Sequence, residues 1–323
     1  ATLPPLPRST PHSASYFQMK AQQQPDAFRW LRSPYLLLTL ASLFWAANWV
    51  VGRAMRNDIP PIAMGFWRWA IALALLLPFA APELQRKWHV VRANWLTLTL
   101  LGLLGAVAFN TMIYVGLQYT AATNGVLFNS ISPILIILLS WVVVREGISG
   151  PQTCGVLLSL AGVLAIVARG DLATLVAFHF NRGDLWLIAA MLLWAIYTIV
   201  LRRRPRELSA MGFLAAMLLL SLPFLLPFYL WEFGVRGGFA PTRATVAALA
   251  YYGTFPSIAA YLFWNRGVAQ VGPNKAGLFV HLMPLFGALL AVIFLGERLY
   301  GYHYAGAALI FSGIWLTTRR VKP

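Results

Sequence analysis

Ten long apolar runs account for most of the sequence and constrain its fold more than any other feature. A helix needs about 20 apolar residues to cross the ~30 Å hydrocarbon layer of a bilayer. The runs are continuous rather than alternating, and a single helix satisfies its own backbone in lipid, so helices are favoured over barrel strands. The sequence therefore predicts an all-α membrane protein with ten transmembrane helices. These are expected at residues 34–55, 60–81, 93–119, 121–144, 150–168, 184–202, 208–231, 242–268, 272–295 and 301–318.

The composition leaves little chain for a soluble domain, because 59% of the residues are apolar and only 11% are charged. Residues 1–33 are rich in Pro, Ser and Gln and contain no apolar stretch that could serve as a signal sequence, so we expect a disordered cytoplasmic tail. Cys154 is the single cysteine, which excludes an intramolecular disulfide. The sequence predicts no metal site and no cofactor.

The net charge of +16 is concentrated in loops on one side of the predicted membrane. With the N-terminus placed in the cytoplasm, the loops on that side hold most of the 25 Lys and Arg residues, and Arg202, Arg203, Arg204 and Arg206 form the strongest cluster. The positive-inside rule then places both termini in the cytoplasm. A lipid bilayer, rather than nucleic acid, is therefore the expected partner.

The second half of the chain repeats the first at an offset of 151 residues. The segment VVREGISG at 143–150 corresponds to FLGERLYG at 294–301. The same offset holds for the pairs Leu127/Leu278, Phe128/Phe279, Pro133/Pro284, Glu146/Glu297, Gly150/Gly301 and Gly155/Gly306. The chain is therefore predicted to be a duplication of one unit.

Each unit contains five of the predicted helices. The units are expected at 34–168 and 184–318, with an outer linker at 169–183 and a cytoplasmic tail at 319–323. Because five is an odd number, the second unit must enter the membrane in the opposite orientation. Inverted repeats of this kind are shared by many secondary transporters.

Several of these residues resemble the drug/metabolite transporter superfamily, specifically its ten-helix EamA-type exporters of amino acids and metabolites. The resemblance covers about residues 34–318. It depends on the Trp-Ala steps at 45–46 and 194–195, on Arg68 early in the second helix, and on the prolines and GER-plus-glycine motifs quoted above. It implies an inner-membrane exporter of a small molecule such as an amino acid. In the seventh predicted helix, Ala215 replaces the arginine of the second.

Glu146 and Glu297 lie just before the last helix of each unit. A carboxylate there can accept hydrogen bonds from free backbone N–H groups, and this capping role is favoured over proton handling. In the helices that follow, Gly155 and Gly162, like Gly306 and Gly313, lie two turns apart on one face. Small residues at that spacing predict close helix packing.

Pro133 and Pro284, the hinge prolines, lie near the middle of their predicted helices, and each releases the carbonyl four residues back, at Asn129 and Val280. One reading is an ordinary kink whose polar side chains bond to their own helix. The other is a gating hinge beside the substrate, since a broken helix at that depth is tolerated where it faces protein or a wet cavity. The segments FNSISP and FVHLMP pair Ser130 with His281, and both are substrate-site candidates with Asn129.

Aromatic and amide side chains recur at similar depth in four further helices. The set predicted to outline an amphipathic substrate cavity comprises Trp45, Asn48, Asn110, Tyr114, Trp194, Tyr197, Tyr261 and Asn265. Tryptophan usually gathers at membrane interfaces, whereas Trp45 and Trp194 lie about 11 residues into their spans. Packing between helices is the alternative explanation for each of them.

Arg68 is the charge that lies clearly inside a predicted span, and an intramembrane charge is a functional candidate. A structural role, with the side chain reaching the outer surface or bonding backbone carbonyls, is one reading. Contact with the carboxylate of a substrate is the other.

These observations predict an inner-membrane exporter of neutral amino acids, aromatic ones included, and of related small metabolites, working by alternating access. The predicted membrane core contains no acidic side chain, and His281 is the core group that usually titrates near neutrality, so gradient-driven exchange without proton coupling is expected. One alternative is a proton-coupled multidrug exporter of amphipathic compounds. A more remote alternative is an intramembrane serine hydrolase that pairs Ser130 or Ser132 with His281. The sequence does not set the oligomeric state, and a monomer is compatible with it.

Overall fold

The computed structural model describes residues 33–120, 122–145, 147–171, 173, 180–295 and 298–319. Every regular element in these ranges is helical. The prediction of an all-α protein is therefore confirmed for the described part of the chain. The expected tail at 1–32, the candidate caps Glu146 and Glu297, and the terminal residues 320–323 lie outside the described residues.

The described ranges contain ten successive helical segments, and a short helix at Trp88–Ala93 joins the second to the third. They are α1 (Pro34–Met55), α2 (Pro61–Arg86), α3 (Trp95–Gly116), α4 (Ala122–Asn129 and Ser132–Leu139, with a π-helical end at Ser140–Val144), α5 (Gly150–Val167), α6 (Arg182–Val200), α7 (Ala210–Ser221 and Leu226–Arg236), α8 (Arg243–Val271), α9 (Pro273–Gly277, Leu278–His281 and Leu282–Leu295) and α10 (Gly301–Thr318).

Six helices among the described residues are long and apolar enough to cross a membrane. They are α2, α3, α5, α6, α8 and α9. The two parts of α7 meet at an angle of 48° and would make a seventh span if they cross together. The protein is thus a multi-pass helical membrane protein, while the count of ten spans stays a prediction.

The core is centred on the first part of α7. The six residues from Phe213 to Leu218 are fully buried, so this part of α7 has no lipid-facing side there. Ala215, which corresponds to Arg68 in the repeat, lies in this run. Arg68 therefore has an apolar, fully buried counterpart in α7.

Helices α2 and α7 run antiparallel, and each supplies a glutamate to the first turn of the other. Pro60 precedes α2 without a side-chain cap, and Pro61 has no N–H to donate. The N–H groups of Ile62 and Ala63 instead donate to the carboxylate of Glu232 in α7, at 3.2 and 2.7 Å. The cap of α2 therefore comes from the second half of the chain.

The reciprocal contact lies at the other end of the two helices. Glu83, near the end of α2, accepts a hydrogen bond from Ser209 N–H at 2.8 Å and another from the Ser209 hydroxyl. Ser209 is the N-cap of α7, and its Oγ accepts from Gly212 N–H at 3.0 Å. Lys87 completes the group with an ion pair to Glu83 at 2.9 Å. We call these two contacts, at Glu83 and at Glu232, the carboxylate clasps.

Helices α5 and α10 pack through their glycines, as the sequence predicted. A Cβ added to Gly162 would lie 2.6 Å from the carbonyl oxygen of Gly306, and one added to Gly306 would lie 2.7 Å from that of Gly162. Gly155 and Gly313 make an equally close pair further along the two helices. Larger side chains would force the backbones apart.

Both α4 and α9 are interrupted just before their hinge prolines. In α4 the helix stops at Asn129 and restarts at Ser132, and in α9 one turn of 3₁₀ helix spans Leu278–His281. The prediction of a helix break at both places is confirmed. Side chains bond to the carbonyl oxygens of Ser130 and Phe279 at these breaks. Each of these carbonyls lies one residue from the one expected to be released, at Asn129 and Val280.

Candidate functional site

The site is built around Arg68, whose side chain is 1% exposed although it carries a full charge. Its Nε donates to Ser257 Oγ at 2.8 Å. Its Nη1 lies 2.8 Å from both Asn110 Oδ1 and the Tyr114 hydroxyl, and 3.4 Å from Asn48 Oδ1. Helices α1, α3 and α8 therefore hold the guanidinium that α2 provides.

All of these partners are neutral. No carboxylate among the described residues is found paired with Arg68. The rings of Trp69 and Tyr252 lie 4.9 and 5.9 Å from the guanidinium carbon and contribute cation–π attraction. Burying a charge without a counter-ion costs several kcal/mol, so the site holds an uncompensated cation that favours an anion.

A small cavity with a volume of about 40 Å³ opens beside Arg68. That is room for a few waters, so a substrate with a bulky side chain requires the helices to move apart. Its lining residues come from both halves of the chain and include no acidic side chain. They are Trp45, Asn48, Trp49, Arg68, Phe109, Asn110, Ile113, Asn129, Trp194, Tyr261, Val280 and Met283.

Aromatic rings form a large part of the cavity wall. Trp45 and Trp194, one from each half, meet edge to face with centroids 5.1 Å apart. Tyr261 lies 5.8 Å from Trp45, and Phe109 lies 4.9 Å from Trp194. The two readings of these tryptophans are therefore not exclusive, because both pack between helices and both line the cavity.

Two π-helical segments position the polar ends of these rings. Leu103–Val107 interrupts α3 and Phe255–Ala259 interrupts α8, at the same place in the two halves to within one residue. Trp45 Nε1 donates to the carbonyl of Pro256 at 3.1 Å, and the Tyr261 hydroxyl donates to the carbonyl of Gly105. A π segment shifts the backbone out of α-helical register, which makes such carbonyls reachable by side chains.

The predicted site residues fall into three groups. Trp45, Asn48, Arg68, Asn110, Asn129, Trp194 and Tyr261 line the cavity. Tyr114 does not line it but holds Arg68. Tyr197, Asn265, Ser130 and His281 are buried outside the lining.

The residues outside the lining bond to one another. Tyr197 donates to Asn265 Oδ1 at 2.7 Å. His281 Nε2 lies 3.0 Å from the carbonyl oxygen of Ser130, its counterpart in the repeat, and its Nδ1 lies 2.7 Å from Ser159 Oγ. The imidazole thus joins the break in α4 to the break in α9 and to α5, rather than facing the cavity.

Ser257 is the main residue that the sequence analysis missed. It lies in the π segment of α8 next to Pro256, and a polar residue beside a mid-helix proline was the signal that singled out Ser130. Trp49, Phe109, Ile113, Val280 and Met283 were also missed as lining residues. Apolar residues in an apolar span carry no signal that separates a cavity wall from a lipid-facing surface.

Comparison with known proteins assigns the chain to a family. A model of the EamA-like transporter family matches residues 32–168 and again residues 181–319. The chain belongs to the EamA-like transporter family. It is therefore a membrane transporter rather than an enzyme, and the serine hydrolase alternative is set aside.

Individual relatives agree with this assignment over most of their length. The chain is 24% identical over 295 residues to the uncharacterized transporter YyaM of Bacillus subtilis, with 87% of this chain and 92% of the relative covered. It is 28% identical over 289 residues to an uncharacterized transporter of Archaeoglobus fulgidus, with 88% and 97% covered. A solved crystal structure is similar in fold, with a TM-score of 0.73, 21% identity and coverage of 88% of this chain and 96% of that one.

Proposed function

We propose that this EamA-like transporter exports neutral amino acids, aromatic ones included, and related small metabolites. The observation that carries the proposal is the buried, unpaired Arg68 at the edge of a cavity lined by aromatic rings and amides. An arginine in a water-poor site binds a carboxylate through strong charge-assisted hydrogen bonds. The rings of Trp45 and Trp194 would take the apolar part of the substrate.

Alternating access is proposed to come from two inverted five-helix halves, at 34–168 and 184–318, with the hinge prolines as the moving points. Support comes from the breaks in α4 and α9 and from a cavity whose lining belongs to both halves. The proposed setting is the inner membrane with both termini in the cytoplasm, which the distribution of Lys and Arg supports.

Gradient-driven exchange is proposed over coupling to protons. The described lining contains no Asp or Glu that could carry a proton or pair with a cationic drug. Nothing in the cavity thus favours the alternative of a proton-coupled multidrug exporter.

Counterflow in proteoliposomes tests the proposal. Vesicles loaded with unlabelled phenylalanine should take up labelled phenylalanine and leucine faster than lysine or glutamate, with no pH gradient imposed. A clear preference for a quaternary ammonium compound over phenylalanine, or concentrative transport driven by a proton gradient, would overturn it.

The matched pair of variants is Arg68→Gln and Arg92→Gln. Arg92 is exposed in the short helix between α2 and α3, so its loss should leave counterflow unchanged. A hydrogen bond to a charged group is worth about 1.5–3 kcal/mol, so Arg68→Gln should weaken substrate binding by about ten- to a hundredfold. Equal counterflow by both variants would remove Arg68 from the substrate site.

A further inference from the structure

The charge balance of the cavity is asymmetric for a zwitterion. Arg68 gives the described lining one positive charge, and no lining residue is acidic. Its Nε and Nη1 already have neutral partners, while no described residue accepts a hydrogen bond from Nη2. The site therefore offers a carboxylate a charged donor, and this part of the inference rests on the proposed function.

An α-ammonium group finds no equivalent partner. Asn48 Oδ1 and Asn110 Oδ1 both accept from Arg68, so accepting from an ammonium would place two cations on the same oxygens. Asn129 is the remaining amide of the lining, and its Nδ2 donates to Met283 Sδ at 3.3 Å. The described lining therefore offers a strongly hydrated ammonium, with its three N–H donors, only neutral acceptors such as Asn129 Oδ1 and the ring faces, and no carboxylate.

The volume of the cavity acts in the same direction. About 40 Å³ of space beside Arg68 must widen for any substrate with a ring. A ligand without the ammonium needs less widening and loses no ammonium hydration on entry. It also avoids the repulsion between like charges that a zwitterion meets beside Arg68.

We infer that the carboxylate is the one charged group that the site recognises, and that the transporter carries aromatic monocarboxylates lacking an α-amino group at least as well as aromatic amino acids. A monoanion neutralises the charge of Arg68, whereas a zwitterion leaves the net charge of the site unchanged. Two features of the described lining thus set the class of substrate: the presence of Arg68 and the absence of an acidic side chain.

Three ligands with the same ring separate the contributions of the two charges. Phenylalanine carries both groups, 3-phenylpropionate carries the carboxylate alone, and phenethylamine carries the ammonium alone. Binding to the purified full-length protein is measured by calorimetry in detergent, where passive diffusion of a protonated acid across lipid plays no part. We expect 3-phenylpropionate to bind about tenfold more tightly than phenylalanine, and phenethylamine to bind at least about tenfold more weakly than phenylalanine.

The outcomes distinguish this inference from the proposed function. Tight binding of phenylalanine with weak or no binding of 3-phenylpropionate would overturn the inference and leave the amino-acid exporter standing. If neither phenylalanine nor 3-phenylpropionate bound to a protein that melts cooperatively, both the inference and the proposed function would be overturned. Binding of phenethylamine as tight as that of 3-phenylpropionate would show that charge does not select the ligand and would overturn the inference.

Arg68→Gln supplies the second comparison, with Arg92→Gln as its control. The substitution should weaken the binding of 3-phenylpropionate more than that of phenylalanine. The amino acid loses the repulsion between its ammonium and Arg68 together with the attraction between its carboxylate and Arg68, so the two losses partly cancel. The dissociation constant of phenylalanine divided by that of 3-phenylpropionate should therefore fall in Arg68→Gln and stay unchanged in Arg92→Gln. An unchanged ratio in a folded Arg68→Gln protein would contradict the inference.

Discussion

Replacing Glu232 with glutamine tests whether a side chain from the second half of the chain holds the start of α2. The first turn of α2 has few donors to satisfy, because Pro61 lacks an N–H and Met64 N–H already donates to Pro60 O at 2.8 Å. The N–H groups of Ile62 and Ala63 are left, and each takes one oxygen of the Glu232 carboxylate. The glutamate is 3% exposed, so water cannot replace it.

The loss of stability in Glu232→Gln can be estimated from the hydrogen bonds that the glutamine side chain retains. Glutamine keeps one oxygen for one N–H and turns an NH₂ group toward the other, so one charge-assisted hydrogen bond of about 1.5–3 kcal/mol is lost. The charge itself is favoured at a helix N-terminus by up to about 2 kcal/mol where it is partly buried. Glu232→Gln should therefore lower the free energy of unfolding by about 2–4 kcal/mol. An unfolding entropy of about 2.1 cal/mol/K per residue gives a chain of 323 residues a shift of about 1.5 °C per kcal/mol, so the melting temperature should fall by about 3–6 °C.

Thermal unfolding in detergent, followed by intrinsic fluorescence, measures this fall. Glu207→Gln is the control, because Glu207 is exposed in the loop before α7 and its side chain caps no helix among the described residues. We expect Glu207→Gln to melt with the wild type and Glu232→Gln to melt clearly below both. If the two variants melted together, the clasp at Glu232 would contribute nothing to stability and the reasoning from helix capping would fail.

Three further predictions concern transport. Trp45→Ala should raise KM for phenylalanine by about tenfold through loss of aromatic contact, whereas Trp95→Ala, at an exposed position, should not; equal effects would make Trp45 a packing residue only. Replacing both hinge prolines with alanine should leave the protein folded and slow counterflow severalfold, because a continuous helix resists bending, and normal rates would contradict this. Ser257→Ala should raise KM with little change in kcat, because Arg68 loses the hydrogen-bond partner of its Nε. Ser221→Ala is the control, since the buried hydroxyl of Ser221 has no hydrogen-bond partner among the described residues.

Much of the site was predictable because membrane spans make polar residues conspicuous. Arg68 is a charge in an apolar run, and Asn110 and Tyr114 are four residues apart on one helix face, so their meeting followed from helix geometry. The breaks in α4 and α9 were predictable from the hinge prolines, which cannot donate to the preceding turn. Local chemistry was enough for each of these features.

The remaining features depend on contacts between distant parts of the chain. The Glu232 clasp joins residues about 170 positions apart, and nothing near Pro60 indicates that the cap comes from elsewhere. The direction of His281 was not predictable either, because depth in the membrane does not say which side of a helix faces a cavity. The π segment at Leu103–Val107 carries no distinct sequence pattern, since its residues are as apolar as those around them.

The carboxylate clasps also have a consequence for the origin of the chain. Each half contributes one glutamate and one helix start, and neither half completes a clasp alone. In the proposed scheme of two five-helix units, one unit produced by itself would leave its own helix start and its own glutamate without these partners. Two copies of such a half, inserted in opposite directions, would satisfy each other at both ends. If the chain arose by the proposed duplication, these two contacts are a means by which one unit would pair with its inverted copy.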